Sequence, residues 1–167
     1  MKQAEQHSTL GKNVLGWREW AGLPELAIPR IKVKIDTGAR TSALHAFYIE
    51  NFSRNGTEYV RFGIHTKQRS SQVEKQCIAP IIERRIVTDS GGHSEERVVI
   101  LTPIIIGTEH WPVEITLTNR DAMKFRMLLG RSALSGRYRI DTGISYVAGK
   151  PDADIYSVLA QGSLNQL

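Results

Sequence analysis

Apolar and polar residues alternate along much of this chain, which is the period of half-buried β-strands rather than of helices. Ile31, Val33 and Ile35 alternate with Lys32 and Lys34, and Trp111, Val113, Ile115 and Leu117 alternate with less apolar neighbours. Tyr59 to Ile64, Val98 to Leu101, Phe125 to Leu129 and Tyr138 to Ile140 are further strand candidates. Asp89-Ser90-Gly91-Gly92 reads as a hairpin tip. Only Asp121 to Lys124 and Arg131 to Ser135 have a helical character, both briefly. Short strands separated by turn signals predict an all-β sandwich or barrel with one or two short helices. Residues 1–12 read as a flexible tail, 13–150 as one domain, and 151–167 as a second tail in which Ile155 to Ala160 can form a short helix.

Composition narrows the class. A chain of 167 residues can bury one core and lies near the usual domain size. No stretch is apolar for long enough to span a membrane, and the polar start Met1-Lys2-Gln3-Ala4-Glu5-Gln6 lacks a signal-peptide core, so the expected location is cytoplasmic. A single cysteine, Cys77, excludes an internal disulfide. The net charge of +5 allows non-specific phosphate binding. Aromatic residues are only 7%, however, and no strand carries a pair of stacking aromatics, which disfavours a nucleic-acid partner.

The candidate chemistry sits where the alternating strand Ile31 to Ile35 ends, at Asp36-Thr37-Gly38-Ala39. With 6 Asp, 11 Thr and 14 Gly in the chain, random order gives roughly 0.03 Asp-Thr-Gly triplets. There are two, the second at Asp141-Thr142-Gly143. Water is a poor nucleophile, and hydrolysis by carboxylates needs one as general base while another stays protonated. Two carboxylates sharing a proton achieve this, because adjacent like charges do not both ionise cheaply. Gly38 leaves room for close approach of such a pair, and the Thr37 hydroxyl suits the turn. A plain strand-ending turn is the alternative reading of the same triplet. Thr41 and Ser42 follow the loop and are expected to hydrogen-bond its backbone; a Ser42–His45 nucleophile pair is disfavoured, because three residues along a regular strand point to opposite faces.

Downstream, Phe125-Arg126-Met127-Leu128-Leu129-Gly130-Arg131-Ser132-Ala133-Leu134 reads as a buried strand, a glycine and a helical turn. The pairing of Asp-Thr-Gly-Ala with two aliphatics and Gly-Arg resembles retropepsin-like aspartic proteases. Longer segments add to it: Gly16-Trp17-Arg18-Glu19-Trp20-Ala21-Gly22-Leu23-Pro24, Lys34 through Ala46, Arg84-Arg85-Ile86-Val87 with Ser90-Gly91, and Ile115 through Met123. Together they resemble, over about residues 15 to 150, the bacterial family usually labelled ATP-dependent zinc protease. The resemblance implies a closed barrel of the acid-protease type and an aspartic endopeptidase with Asp36, Thr37 and Gly38 as its catalytic turn. Only 24 residues follow Gly143, too few for a second lobe. Asp141 is therefore a weak candidate for the second carboxylate, and a homodimer contributing Asp36 twice is the usual alternative. An atypical monomer also stays open.

The zinc and ATP in the family's label find little in the residues. There is no His-Glu-x-x-His, no cysteine pair and no Gly-rich Lys-Ser/Thr loop, while His7, His45, His65, His93 and His110 are scattered. His93 with Glu95, or His110 with Glu114, are the only pairs to consider. No metal or other cofactor is expected, with a zinc-dependent peptidase as the alternative that the label keeps open. Relatives of the family accompany ATP-grasp ligases that add glutamates to a ribosomal protein, which implies an acidic, glutamate-modified protein as substrate. Arginine suits carboxylate recognition. Arg40 leads the candidates, with Ala39 and Thr41 lining the same loop, and Arg84, Arg85, Arg97, Arg120 and Arg131 follow. Two other classes remain open: a non-catalytic binding module on the same barrel, and a basic β-barrel that binds RNA.

Overall fold

The structure is a computed structural model that describes residues 13–65, 74–119 and 124–151. The expected tails at 1–12 and 152–167, the short helix at 155–160, most of the helical turn from Asp121, and Arg120 lie outside the described residues. Pro151, assigned to the tail, is buried.

Twelve strands account for most of the described chain: β1 (Val14–Gly16), β2 (Arg18–Leu23), β3 (Ile28–Ile35), β4 (Ser42–His45), β5 (Tyr48–Arg54), β6 (Thr57–His65), β7 (Glu74–Pro80), β8 (Glu83–Thr88), β9 (Ser94–Ile106), β10 (Glu109–Thr118), β11 (Met127–Leu129) and β12 (Arg139–Asp141). A single α-helical turn, α1 (Arg131–Leu134), follows β11. The main sheet runs in the order β10-β4-β11-β3-β2-β9-β8, and β9 also pairs with β10, so the strands bond in a ring. Between β2 and β9 a single register pair, Gly22 with Ile105, joins the ring. The protein is thus an all-β barrel that is not strictly closed.

The alternation read from the sequence sets the core. Ile31, Val33 and Ile35 of β3 and Trp111, Val113, Ile115 and Leu117 of β10 all point inward and are buried. Each fully buried aliphatic contributes about 1.5–3 kcal/mol. A three-stranded meander, β5-β6-β7, supplies Val60, Phe62, Ile64, Cys77 and Ala79 to the same core. Strand β11 is the piece that matters most for the site. It lies between β3, to which it is parallel, and β4, to which it is antiparallel. A segment about ninety residues downstream of Asp36 thereby becomes the immediate neighbour of the strand that carries it.

Strand β2 departs from simple patterning. Its inward positions are Glu19 and Ala21, and Glu19 is fully buried. The Glu19 carboxylate accepts from the backbone N–H groups of Gly16 (2.7 Å), Val147 (3.2 Å) and Ala148 (3.0 Å). It fastens the loop after β12 to the start of the barrel, satisfying donors that would otherwise be buried unpaired.

Candidate active site

Asp36 follows β3 directly, and its backbone N–H donates to the Leu129 carbonyl of β11 at 2.9 Å. The chain then turns sharply, and the Asp36 Oδ1 accepts from the N–H of Gly38 (3.1 Å) and of Ala39 (3.2 Å). Among the described residues no donor reaches Oδ2. One oxygen is fixed by the turn and the other is left for water or substrate, the arrangement a general base requires.

The downstream segment holds this turn from below. The N–H groups of Arg131 and Ser132 donate to the carbonyls of Ala39 (2.8 Å) and Arg40 (3.0 Å). The Arg131 Nη1 donates to the carbonyls of Thr37 and Gly38, each at 3.0 Å. Gly130 passes so close to Thr41 that a Cβ there would lie 2.6 Å from the Thr41 carbonyl carbon and oxygen. Its N–H donates to the Ser42 Oγ (3.1 Å). Glycine is required by proximity here, with no unusual torsion involved.

The hairpin of β8 and β9 faces the turn. Between them lies a cavity of about 710 Å³ lined by Asp36, Gly38 to Thr41, Ala43 and Leu128 on one side, and by Arg85 to Ser90 with Arg97 on the other. The hairpin tip expected at 89–92 is present: the Asp89 Oδ1 accepts from the N–H of Gly91 and of His93, both at 2.9 Å, and Gly92 has a φ of 83°.

The arginines divide by what they touch. Arg40 lines the cavity, is exposed and forms no ion pair among the described residues. Arg85 also lines it, but its guanidinium bridges Glu83 (2.8 Å) and Glu114 (2.9 Å). Hydrogen bonding to these two carboxylates raises its already high pKa, and the same contact lowers that of Glu83. Arg97 is buried against Glu95 (2.5 Å), whose Oε1 also accepts from Thr118. Arg84 reaches Glu58 instead and is not among the lining residues. Arg131 grips the turn's backbone.

Asp141 stands on β12, exposed and outside the cavity lining. Its Oδ1 accepts from the Gly143 N–H at 2.9 Å, so the second triplet repeats the local turn of the first. The histidines do not converge. His93 neighbours Asp89 while Glu95 holds Arg97, and Glu114 on the strand of His110 is engaged by Arg85. His65 stacks on Phe47 at 4.5 Å. No three His, Cys, Asp or Glu side chains among the described residues are placed to hold a metal ion, so these residues do not fit the zinc of the family's label. The Ser42 hydroxyl does engage backbone, but that of Gly130 on the downstream segment, and the backbone grip of Arg131 was not anticipated. The signal available was the Gly-Arg pair directly after two aliphatics.

Comparison with known proteins agrees with this geometry. Residues 43% identical over 141 positions, 84% of this chain and 30% of the relative, occur in a probable alpha-L-glutamate ligase of Desulfotalea psychrophila. A probable alpha-L-glutamate ligase of Parasynechococcus marenigrum is 44% identical over 138 residues, again 30% of its length. The chain thus spans under a third of the curated relatives it matches. In shape it is similar to the crystal structure of a Legionella pneumophila protein of unknown function, with a TM-score of 0.67 at 23% identity over 81% of this chain and 98% of that one. The model of the RimB-like family, described as retropepsin-like aspartic endopeptidases, matches residues 14–151, and this chain belongs to that family.

Proposed function

We propose that this protein is an aspartic endopeptidase that cuts peptide bonds in an acidic, glutamate-rich tail of a protein substrate. The observation that carries the reading is Asp36, with one oxygen anchored by the turn and the other open toward a cavity roofed by a hairpin. In the reaction, the ionised carboxylate takes a proton from water as the hydroxyl adds to the scissile carbonyl carbon. A protonated partner carboxyl gives its proton to the carbonyl oxygen, producing a gem-diol. Proton transfer to the amide nitrogen then breaks the C–N bond and releases an acid and an amine. We assign the partner carboxyl to Asp36 of a second copy across a two-fold axis, the usual arrangement for a single-lobed chain, which the exposure of Thr37 and Gly38 accommodates.

An acidic substrate is supported by Arg40 at the cavity edge and by the relatives, whose names concern the addition of glutamate. A ribosomal protein bearing such a tail is the candidate substrate. The second reading is a binding module without catalysis, favoured by an Asp36 side chain that, among the described residues, bonds only to its own turn. Mass spectrometry of a peptide ending in several glutamates, incubated with wild type, Asp36→Asn, and wild type plus a strong chelator, separates the readings. Cleavage that survives chelator and is lost in Asp36→Asn is the expected result. Loss to chelator points to a metallopeptidase, and absence of cleavage throughout points to the binding module.

A further inference from the structure

The outer face of β2 and β3 is built from cations and aromatic rings. Arg18 and Trp20 on β2 stand directly opposite Lys34 and Lys32 on β3, and Arg30 continues the row. The loop after β12 adds Tyr146 and Lys150. Lys32 Nζ lies 5.3 Å from the Trp20 ring and 5.9 Å from Tyr146, and Lys150 Nζ lies 5.9 Å from Trp20. The Arg18 guanidinium covers Trp17 (4.4 Å) and Tyr146 (5.0 Å). None of Arg18, Arg30, Lys32, Lys34 and Lys150 forms an ion pair among the described residues.

Like charges directly opposite each other weaken a sheet, so the Arg18–Lys34 pair is a cost to the isolated fold. Its position suggests what offsets the cost. Along an extended strand Lys34 stands about 7 Å, Lys32 about 13 Å and Arg30 about 20 Å before Asp36. The row is therefore a cationic track that ends at the catalytic turn. Two kinds of polyanion suit a cationic, aromatic face. A single-stranded nucleic acid needs open ring faces on which bases stack. Here the rings are already covered by cations, which hold the ammonium and guanidinium groups in place and lower the entropy lost when they bind. That arrangement favours carboxylates.

We propose that this face binds a run of glutamate side chains of the substrate outside the cavity, feeding the tail toward Asp36; its purpose rests on the peptidase reading, but its existence does not. The test measures binding of a labelled glutamate ten-mer to Asp36→Asn, with and without Lys32→Gln, Lys34→Gln and Lys150→Gln together. The triple variant is expected to weaken binding about tenfold at low salt, and arginine at the same three positions to restore it. In active protein the triple variant raises KM for the glutamate-tailed peptide, leaves kcat unchanged and leaves a neutral peptide unaffected, as loss of uniform binding requires. Should the triple variant not fold, Lys34→Gln alone, on an exposed side chain, replaces it with an expected loss of about twofold. Unchanged ten-mer affinity in a folded variant overturns the proposal, and so does a uridine ten-mer that binds as tightly as the peptide. If wild type cuts nothing, the peptidase reading falls while the binding comparison still decides the face.

Discussion

Replacing Arg131 with glutamine tests whether this residue serves the turn or the substrate. Its Nη1 donates to two carbonyls of the Asp36 turn, Thr37 and Gly38, each at 3.0 Å. Hydrogen bonds from a charged donor are worth about 1.5–3 kcal/mol, but Arg131 is exposed and water competes for the same carbonyls. A loss of about 1–2 kcal/mol for the pair is the reasonable figure. For a domain of this size that lowers Tm by about 2–8 °C, leaving the protein folded at assay temperature. The effect on turnover is larger, because an ångström of misplacement at a reacting group can cost about a hundredfold. Steady-state kinetics on a glutamate-tailed peptide, beside a thermal melt, should show kcat reduced by about that factor with KM nearly unchanged. Arg131→Lys restores the charge but not the planar fork and should recover only part of kcat. A variant with unchanged kcat and a KM raised tenfold would refute this reasoning and make Arg131 a substrate clamp.

Three further outcomes follow from the geometry. Gly130→Ala drives a methyl group to 2.6 Å from the Thr41 backbone, and should lower the unfolding free energy by about 2–3 kcal/mol in urea titration; an unchanged midpoint means the loop yields freely. Glu19→Ala leaves three backbone donors of the 16 and 147–148 region without their buried acceptor, a loss of about 3–5 kcal/mol by the same titration, with Glu19→Gln intermediate. Burial pushes the Cys77 thiol up to about 11 from 9.0, partly countered by Lys75. Because the folded-state value is raised, the native protein holds this proton more tightly, so the contribution is complete below pH 9 and is lost as pH climbs through 11. Wild type should lose about 2–3 kcal/mol more than Cys77→Ala across that interval, and a thiol reagent should modify Cys77 only on unfolding.

The strands legible in the sequence are those whose two faces differ. β3 from Ile31 onward and β10 as far as Ile115 show clean alternation because one side meets the core and the other faces outward, and α1 begins at Arg131 as its short pattern suggests. β2 hid itself because its inward position is Glu19, a charge that only the backbone donors of a distant loop make tolerable. β5 and β8 were missed because Tyr48–Arg54 and Glu83–Thr88 expose most of both faces, leaving no period to read. Within the site, Asp36 and its glycine announce themselves as a motif, and the hairpin tip is visible in its Asp-Ser-Gly-Gly. What each arginine grips was not visible, since Glu114 lies 29 residues from Arg85 and Glu58 lies 26 from Arg84, on strands that only the fold brings together. Pairing also stacks Phe52 on Tyr59 across β5 and β6, at 5.6 Å; no single strand carries such a pair, which is why the sequence appeared to lack stacking aromatics.

The insertion of β11 between β3 and β4 orders events in time. A chain emerging from the ribosome presents Asp36 some ninety residues before the carbonyl of Leu129, the amide of Gly130 and the guanidinium of Arg131 that shape its turn. Until then β3 and β4 have an empty lane between them and the aspartate has no fixed direction. Closing that lane is a long-range step, and such steps are slow. A fragment ending before Met127 would carry Asp36 without the segment that shapes its turn.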